Sequence, residues 1–173
     1  TFNPGVIVGG TDVSYDPPNS RGDAFGKTNV VAQKTVVDGG LRFISEEQKQ
    51  RARAAMRAIV AEHLPQTGAE IEFQDSYPAM PPTAANEKLR KVASAVSEDL
   101  GFGPLAANDP AKRGAADISF AAPHAGASMD GLGALGSGAH TPSERMEIAS
   151  FEEATKRAAI LIYRLTRDDK GGL

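Results

Sequence analysis

The 173-residue sequence contains no cysteine and no tryptophan, and only 6% of its residues are aromatic. The absence of cysteine excludes disulfide bonds, thiolate metal sites and a cysteine nucleophile, but it leaves the compartment open between cytoplasm and periplasm. No apolar run is long enough to cross a bilayer, and a net charge of −3 provides no basic surface for nucleic acid. The sequence therefore predicts a globular protein of one or two domains, with neither a nucleic-acid nor a membrane partner.

The first part of the chain has the residue pattern of strands. Val6–Val8 is an apolar run between glycines, and residues 11–26 look like a polar loop. Further along, Leu41 and Phe43 alternate with Arg42, which predicts that Arg42 points away from the face that its neighbours bury. Residues 70–74 alternate in the same way and are predicted to form a half-buried strand.

Three segments have the periodicity of amphipathic helices. They are predicted to begin at Ser45, Thr83 and Ser150, with capping boxes at Ser45 and Ser150, and the first two end at Pro65 and Gly101. The order β-β-α-β before Thr83 is typical of the later part of a ferredoxin-like layer. The inward-facing stripes are predicted at Ala52, Ala55, Met56, Ile59, Val60, His63 and Leu64, at Leu89, Val92, Ala93, Val96 and Leu100, and at Ala154, Ala158, Leu161, Ile162 and Leu165.

Residues 101–142 hold 8 of the 18 glycines and few charges, so we expect tight loops that pack against other elements. Within them, Gly131, Gly133 and Gly136 match the dinucleotide pattern G-x-G-x-x-G. That pattern requires a helix after its last glycine, but the following residues run into Pro142 and do not have a helical pattern. A tight turn is therefore favoured over a nucleotide-binding oxidoreductase, which a dinucleotide titration would test.

Three histidines are candidates for chemistry. His140 lies in a glycine-flanked loop, where small neighbours allow close approach of a metal ion or substrate, and Glu144 is near enough in sequence to orient its imidazole. The alternative for His140 is a solvated side chain. His63 falls on a predicted helix stripe and is assigned to packing, while His124 stays undecided between function and surface.

Several of these segments resemble one enzyme family. Residues 114–117, the run 129–144 and the helix at Ser150 closely resemble the C-terminal end of zinc-dependent carboxypeptidases of the carboxypeptidase G type, which group with acetylornithine deacetylase, succinyl-diaminopimelate desuccinylase and aminoacylase. Residues 29–31 and 38–43 are similar to the second half of that family's lid. The resemblance implies an α/β (α+β) fold, with a partial ferredoxin-like lid or dimerisation domain followed by the C-terminal part of a zinc-exopeptidase catalytic domain.

The resemblance also implies a domain boundary and roles for lid residues. The lid would occupy residues 1–82 and the catalytic domain residues 83–173. Asn29 and Arg42 resemble the lid residues that reach the free carboxylate of the substrate, and the planar guanidinium of Arg42 suits a bidentate pair with a carboxylate. The alternative for Arg42 is a surface charge paired with Asp38, which shares its face of the strand.

In the catalytic part, the resemblance implies that His140 is a ligand of one of two zinc ions. Gly114 resembles part of a glycine-rich turn beside the substrate carboxylate. Asp117, at the end of that turn, is either a buried structural acceptor or a substrate contact. No residue of this chain matches the family's general base, so the catalytic residues are expected in an N-terminal half that this sequence does not contain.

The implied function is that of a dizinc metallopeptidase or amidohydrolase, whose metal ions activate a water that cleaves an amide next to a free carboxylate, as in glutamate carboxypeptidases. The expected substrates are small peptides or N-acyl amino acids, and the expected partners are the missing N-terminal half and a second copy bound through the lid. The chain alone is expected to be inactive. The alternative is a non-catalytic dimerisation or interaction module derived from the same family.

Overall fold

A computed structural model of the chain describes residues 1–110, 112 and 114–167. Helices and strands both occur, as predicted for the α/β class. The chain divides into two compact units, Thr1–Ala55 and Met56–Leu173. This division lies 27 residues before the predicted boundary at residue 82. It separates compact regions rather than family domains, so that boundary stays a prediction.

The first unit contains two antiparallel strand pairs. Strand β1 (Phe2–Gly10) pairs with β4 (Lys34–Leu41), and β2 (Asp12–Asp16) forms a hairpin with β3 (Arg21–Phe25). Residues 12–25 are therefore a hairpin, with Thr11 before it and Gly26 after it, and the prediction of a polar loop is wrong. Val13 and Tyr15 alternate with polar residues in β2, which is the period of a half-buried strand.

The hairpin packs on one face of the β1–β4 pair. The Tyr15 hydroxyl of the hairpin donates a hydrogen bond to the carboxylate of Asp38 in β4. A Cβ atom at Gly22 would lie 2.8 Å from Cγ1 of Val8, so only glycine permits this close approach. A polar contact and a close approach of backbone to side chain thus both contribute to joining the two strand pairs.

Helix α1 (Glu46–Ala61) begins where the sequence predicts. The Ser45 hydroxyl accepts a hydrogen bond from the amide of Gln48 at 3.1 Å, which satisfies one of the free N–H groups of the first turn. The predicted stripe is wrong in part, because Ile59 is 71% exposed and Lys49 is the buried residue of the helix. His63 lies beyond the end of the helix and is exposed, so its assignment to packing is also wrong.

The second unit is built around two helices. Helix α2 (Ala84–Asp99) begins at Thr83, whose hydroxyl accepts from the amide of Asn86 at 3.0 Å, and it ends before Gly101, which has a φ of +80°. Its predicted stripe is confirmed, since three of the five residues are buried and two are half-buried. The core of the unit consists of Ala93, Val96 and Leu161, with Val92, Leu100, Leu105, Met129, Leu132 and Ile160 packed against it.

Helix α4 (Ile148–Arg167) supplies Leu161 to this core. It begins two residues before Ser150, so the predicted start is wrong. Its stripe is also only partly inward-facing: Ala154 and Leu161 are buried, whereas Ile162 is 62% exposed and Leu165 is 40% exposed. One apolar side of α4 therefore remains on the surface of the described unit.

Between α2 and α4, the chain forms loops with a short helix α3 (Ile118–Ala121) and a short strand pair, β5 (Gly136–Ser137) with β6 (Arg145–Met146). These loops supply three of the side chains that pack against the core, Leu105, Met129 and Leu132. This agrees with the prediction that residues 101–142 pack against other elements. Residues 70–74 keep the predicted alternation of burial, but the described part of the chain contains no strand pairing for them, so the predicted strand is wrong.

The chain exposes 13,220 Å² of accessible surface. No helix in the described part of the chain has the length and apolar character needed to span a bilayer.

Candidate functional site

Arg42 lies directly after the end of β4, and its backbone continues the strand ladder. Its amide donates to the carbonyl of Thr1 at 2.7 Å, and the backbone nitrogen of Thr1 donates to the Arg42 carbonyl at 2.9 Å. Leu41 and Phe43 are half-buried and Arg42 is exposed, so the predicted alternation is confirmed. The backbone of Arg42 is thus held on both sides, while its side chain faces solvent.

The alternative partner of Arg42 is engaged elsewhere. Asp38 accepts the hydrogen bond from the Tyr15 hydroxyl, and this bond to the carboxylate raises the pKa of Tyr15 above its ordinary value. Asp38 and Arg42 are four positions apart, or about 13 Å along the strand. In the described part of the chain no hydrogen bond or ion pair joins the two side chains. The guanidinium of Arg42 is therefore available to a ligand.

Asn29 lies in a turn before β4, where the amide of Val30 donates to the carbonyl of Lys27 at 3.1 Å. Its side chain is exposed. In the sequence, this turn and Arg42 lie on either side of β4, a strand of eight residues and about 23 Å. No contact of the described residues joins these two side chains, so each contributes a separate polar group to the first unit.

An open cavity of about 380 Å³ lies beside Arg42. Its other lining residues are Thr1, Phe2, Asn3 and Gly40. A positive side chain at the edge of an open cavity is suited to an anionic group, because the ligand can reach the guanidinium without displacing another carboxylate. The sequence pattern identified Arg42 but gave no indication that Gly40 lines the same cavity.

In the second unit, His140 lies in the loop that joins β5 and β6. Its φ is +64°, in the left-handed region that non-glycine residues seldom adopt. The loop is closed by its own hydrogen bonds: the amide and the hydroxyl of Thr141 both donate to the carbonyl of Gly138, at 3.1 and 2.7 Å. The imidazole is exposed on a tight loop with a strained backbone, a conformation that is often found at binding sites.

Ser150 of α4 fastens the base of this loop. Its hydroxyl is buried, accepts from the amide of Leu135 at 2.8 Å and donates to the carbonyl of Glu147 at 2.6 Å. The amide of Glu147 in turn donates to the carbonyl of Leu135 at 3.0 Å. The sequence predicted Ser150 only as a helix cap. Its role in holding the loop depends on a residue fifteen positions away, which local patterns do not reveal.

The described residues do not make a metal centre by themselves. They contain no group of three or more His, Asp or Glu side chains placed to hold an ion, and no hydrogen bond of the described residues joins His140 to Glu144. A zinc site needs three or four protein ligands. His140 alone therefore does not fit a zinc ion, and any ion bound there needs ligands from outside the described part of this chain.

The glycines at 131, 133 and 136 do not lead into a helix. Gly131 has a φ of +79°, and Gly136 enters the short strand β5. The required helix N-terminus for a pyrophosphate is therefore not at this position. The left-handed φ of Gly131 agrees with the interpretation of a turn, whereas Gly136 belongs to a strand.

Gly114 is exposed, and a Cβ atom there would meet nothing within 4 Å. Asp117 is also exposed and accepts a hydrogen bond from the Tyr77 hydroxyl at 3.3 Å, so it is not a buried acceptor. The ring of Tyr77 packs against Phe120, with centroids 5.4 Å apart. His124 is exposed at the end of a short turn of helix. No contact of the described residues brings Gly114 or His124 to His140.

The profile of peptidase family M20/M25/M40 matches residues 4–164. The succinyl-diaminopimelate desuccinylase of Hydrogenovibrio crunogenus is 28% identical over 157 residues, which cover 88% of this chain and 39% of that protein. The chain thus spans about two fifths of the length of this curated relative. No solved structure gives a significant match. Because the family profile covers nearly the whole sequence, the chain belongs to peptidase family M20/M25/M40, whose members are hydrolases that generally depend on metal ions.

Proposed function

We propose that this chain is the C-terminal portion of a dizinc metallopeptidase or amidohydrolase that cleaves an amide next to a free carboxylate, in the manner of a glutamate carboxypeptidase. The observation that carries this proposal is the family match, because residues 4–164 include all four positions assigned by resemblance. These positions are Asn29, Arg42, Gly114 and His140. The substrates would be small peptides or N-acyl amino acids, and the desuccinylase among the relatives acts, by its name, on a molecule of the second kind.

In this proposal, Arg42 binds the free carboxylate of the substrate. Its exposed guanidinium, the neighbouring cavity and the engagement of Asp38 by Tyr15 support that role. A bidentate pair would fix both the position and the orientation of the carboxylate. By the same resemblance, Asn29 would donate its side-chain amide to that carboxylate, and Gly114 would allow the backbone to approach it.

His140 would be one ligand of a zinc ion, with the other ligands and the general base supplied by an N-terminal half of the enzyme. Zinc would activate the attacking water. The strained, exposed loop at His140 and its attachment to Ser150 support a positioned ligand. We propose further that residues 1–82 form part of the lid, through which two copies associate, and that residues 83–173 form part of the catalytic domain.

The alternative is a non-catalytic dimerisation or interaction module. Exposed apolar side chains such as Ile59, Phe151 and Ile162 agree with such a module. They do not separate it from the enzyme, because a partner would cover them in either case. The two proposals differ in the role of His140. A module would retain all its properties when this imidazole is removed, whereas an enzyme would not.

The test is His140→Ala in the full-length enzyme, with His124→Ala as the matched control, since both imidazoles are exposed in the second unit. We expect His140→Ala to lose bound zinc and the hydrolysis of N-acetylglutamate and N-succinyl-diaminopimelate together, and His124→Ala to keep both. Zinc is measured by elemental analysis and hydrolysis by amine release. Unchanged zinc content and activity in His140→Ala would contradict the proposal and favour the module.

A further inference from the structure

We propose that Gly40 is a specificity-determining position: the space left by its missing side chain admits the substrate group attached to the carboxylate that Arg42 binds. This inference rests on the proposed function, because it takes the role of Arg42 from there. It assigns a steric role to a residue that carries no reactive group.

Gly40 and Arg42 lie on the same face of the strand. Successive side chains of a strand point to opposite faces, so residues two apart share a face, and Leu41 between them is half-buried on the other side. Both residues line the open cavity of about 380 Å³. When the carboxylate of a ligand binds the guanidinium of Arg42, the ligand atoms next to that carboxylate therefore lie over the backbone of Gly40.

The two consecutive glycines of β4 differ in what the fold requires of them. A Cβ atom at Gly39 would collide with the carbonyl oxygen of Asn3 on the paired strand, so the fold demands glycine there. A Cβ atom at Gly40 would meet nothing within 4 Å, and the φ of Gly40 is not in the left-handed region. The fold alone thus permits a side chain at Gly40.

Glycine inside a strand is unfavourable, since it loses more backbone freedom on folding than other residues and offers no side chain to pack. A glycine in a strand often marks a bulge, a tight bend or a place where another group comes close to the backbone. The register shift of this strand pair lies at Pro4–Val6, opposite Gly39 and Asp38, whereas Gly40 pairs with Asn3. At Gly40, the open side is the cavity that Arg42 also lines. The substrate is the group that this cavity would admit.

The experiment compares Gly40→Ala and Gly40→Val with Gly68→Val in the full-length enzyme. Gly68 is the matched control, because a Cβ atom there also meets nothing within 4 Å, but it does not line the cavity. The probes are N-acetylglycine and N-acetylglutamate, which differ in the group attached to the carboxylate-bearing carbon. Each is measured as a substrate, or as a competitive inhibitor if it is not turned over.

We expect Gly40→Val to lower kcat/KM, or to weaken inhibition, at least about tenfold for N-acetylglutamate and less than about threefold for N-acetylglycine, mainly through KM. Gly40→Ala should have a smaller effect of the same kind, and Tm should stay constant or rise because a side chain suits a strand better than glycine. Gly40→Ala serves as the decisive variant if Gly40→Val does not fold.

Equal effects on both probes, or no effect, would overturn the assignment of Gly40. If Arg42→Lys impairs both probes while the Gly40 variants do not separate them, only this inference fails. If Arg42→Lys changes neither probe, the proposed role of Arg42 fails, and with it the reason for placing substrate over Gly40. The two failures are therefore distinguishable.

Discussion

The two compact units bury their residues by different means. All the buried hydrophobic residues of the described chain belong to the second unit, on α2 and α4. In the first unit, which is described throughout, the buried residues are Gly10 and Lys49. Strand ladders, the Tyr15–Asp38 hydrogen bond and close backbone approach hold the first unit, whereas side-chain packing holds the second.

This difference bears on where function resides. The two residues assigned to the substrate carboxylate, Asn29 and Arg42, lie in the unit without a hydrophobic core. His140 lies in the unit that has one, on a loop fastened to α4 through Ser150. The side chain of a metal ligand must be held in a fixed position, and attachment of its loop to a packed helix restricts its movement. A surface that binds substrate needs only a fixed backbone and an accessible side chain.

The largest expected effect tests the core of the second unit. Leu161→Ala should lower the free energy of unfolding by about 2–5 kcal/mol, because it removes a buried side chain, 5% exposed, and leaves a cavity between α2 and α4. Ile162→Ala is the matched control on the same helix, 62% exposed, and should change stability by less than about 0.5 kcal/mol in the 173-residue chain. Urea unfolding measures both. Equal losses would show that this core does not hold the unit.

Elements whose signals are local could be predicted from the sequence. Helix α2 has its cap at Thr83, an apolar stripe and a terminating Gly101, and the structure has all three in place. The alternation around Arg42 likewise predicted its exposure. The stripe of α4 was only half right, because an amphipathic pattern shows which residues can be buried but not which surfaces are present to cover them.

The β2–β3 hairpin was missed although its signal is present. Val13 and Tyr15 alternate with polar residues before Pro17, but the two prolines and many polar residues in this segment favoured a loop. The bond from Tyr15 to Asp38 joins residues 23 positions apart. Such contacts depend on tertiary structure and cannot be read from local patterns. For this reason the sequence alone could not decide whether Asp38 pairs with Arg42 or with another residue.

The next prediction concerns the ligand-binding role of the first unit. Arg42→Lys in the full-length enzyme should lower kcat/KM for N-acetylglutamate at least about tenfold, roughly 1.4 kcal/mol, because lysine keeps the charge but loses the bidentate fork. Zinc content should not change. Arg21→Lys is the control, since Arg21 is an exposed strand arginine of the same unit, with a side chain 76% exposed. An unchanged kcat/KM in Arg42→Lys would indicate that Arg42 is a surface charge that does not bind substrate.

A smaller effect is expected at the two helix caps. Thr83→Ala should destabilise the second unit by about 1 kcal/mol, because the amide of Asn86 loses its acceptor, and Thr83→Ser should restore most of the loss. Ser45→Ala removes the corresponding acceptor for Gln48 and should cost a similar amount. Unfolding monitored by circular dichroism measures these changes. A much larger loss for Ser45→Ala would show that the first unit depends on its helix more than its exposed packing indicates.

The smallest effect is expected for an ion pair on the surface of the second unit, which tests whether surface charge adds to the stability that the packed core provides. The carboxylate of Glu87 accepts two hydrogen bonds from Arg90, from Nε and Nη2, each 2.7 Å long, and they lower the pKa of Glu87 below its ordinary value of 4.5. A carboxyl group whose pKa is lower in the folded state stabilises the fold above its unfolded pKa, and this stabilisation is lost as the pH falls through the folded value.

Glu87→Gln should therefore be less stable than the parent at neutral pH, and the difference should shrink as the pH falls below 4.5. Urea midpoints measured from about pH 7 to about pH 3.5 give the comparison. Glu152→Gln on α4 is the control, because Lys156 holds that carboxylate through one 2.6 Å contact, with side chains 55% and 72% exposed for lysine and glutamate. Solvent screens such a pair, so its effect should be the smaller. A difference for Glu87→Gln that stays constant with pH would instead indicate lost packing, since only an ionic contribution titrates with the carboxyl group.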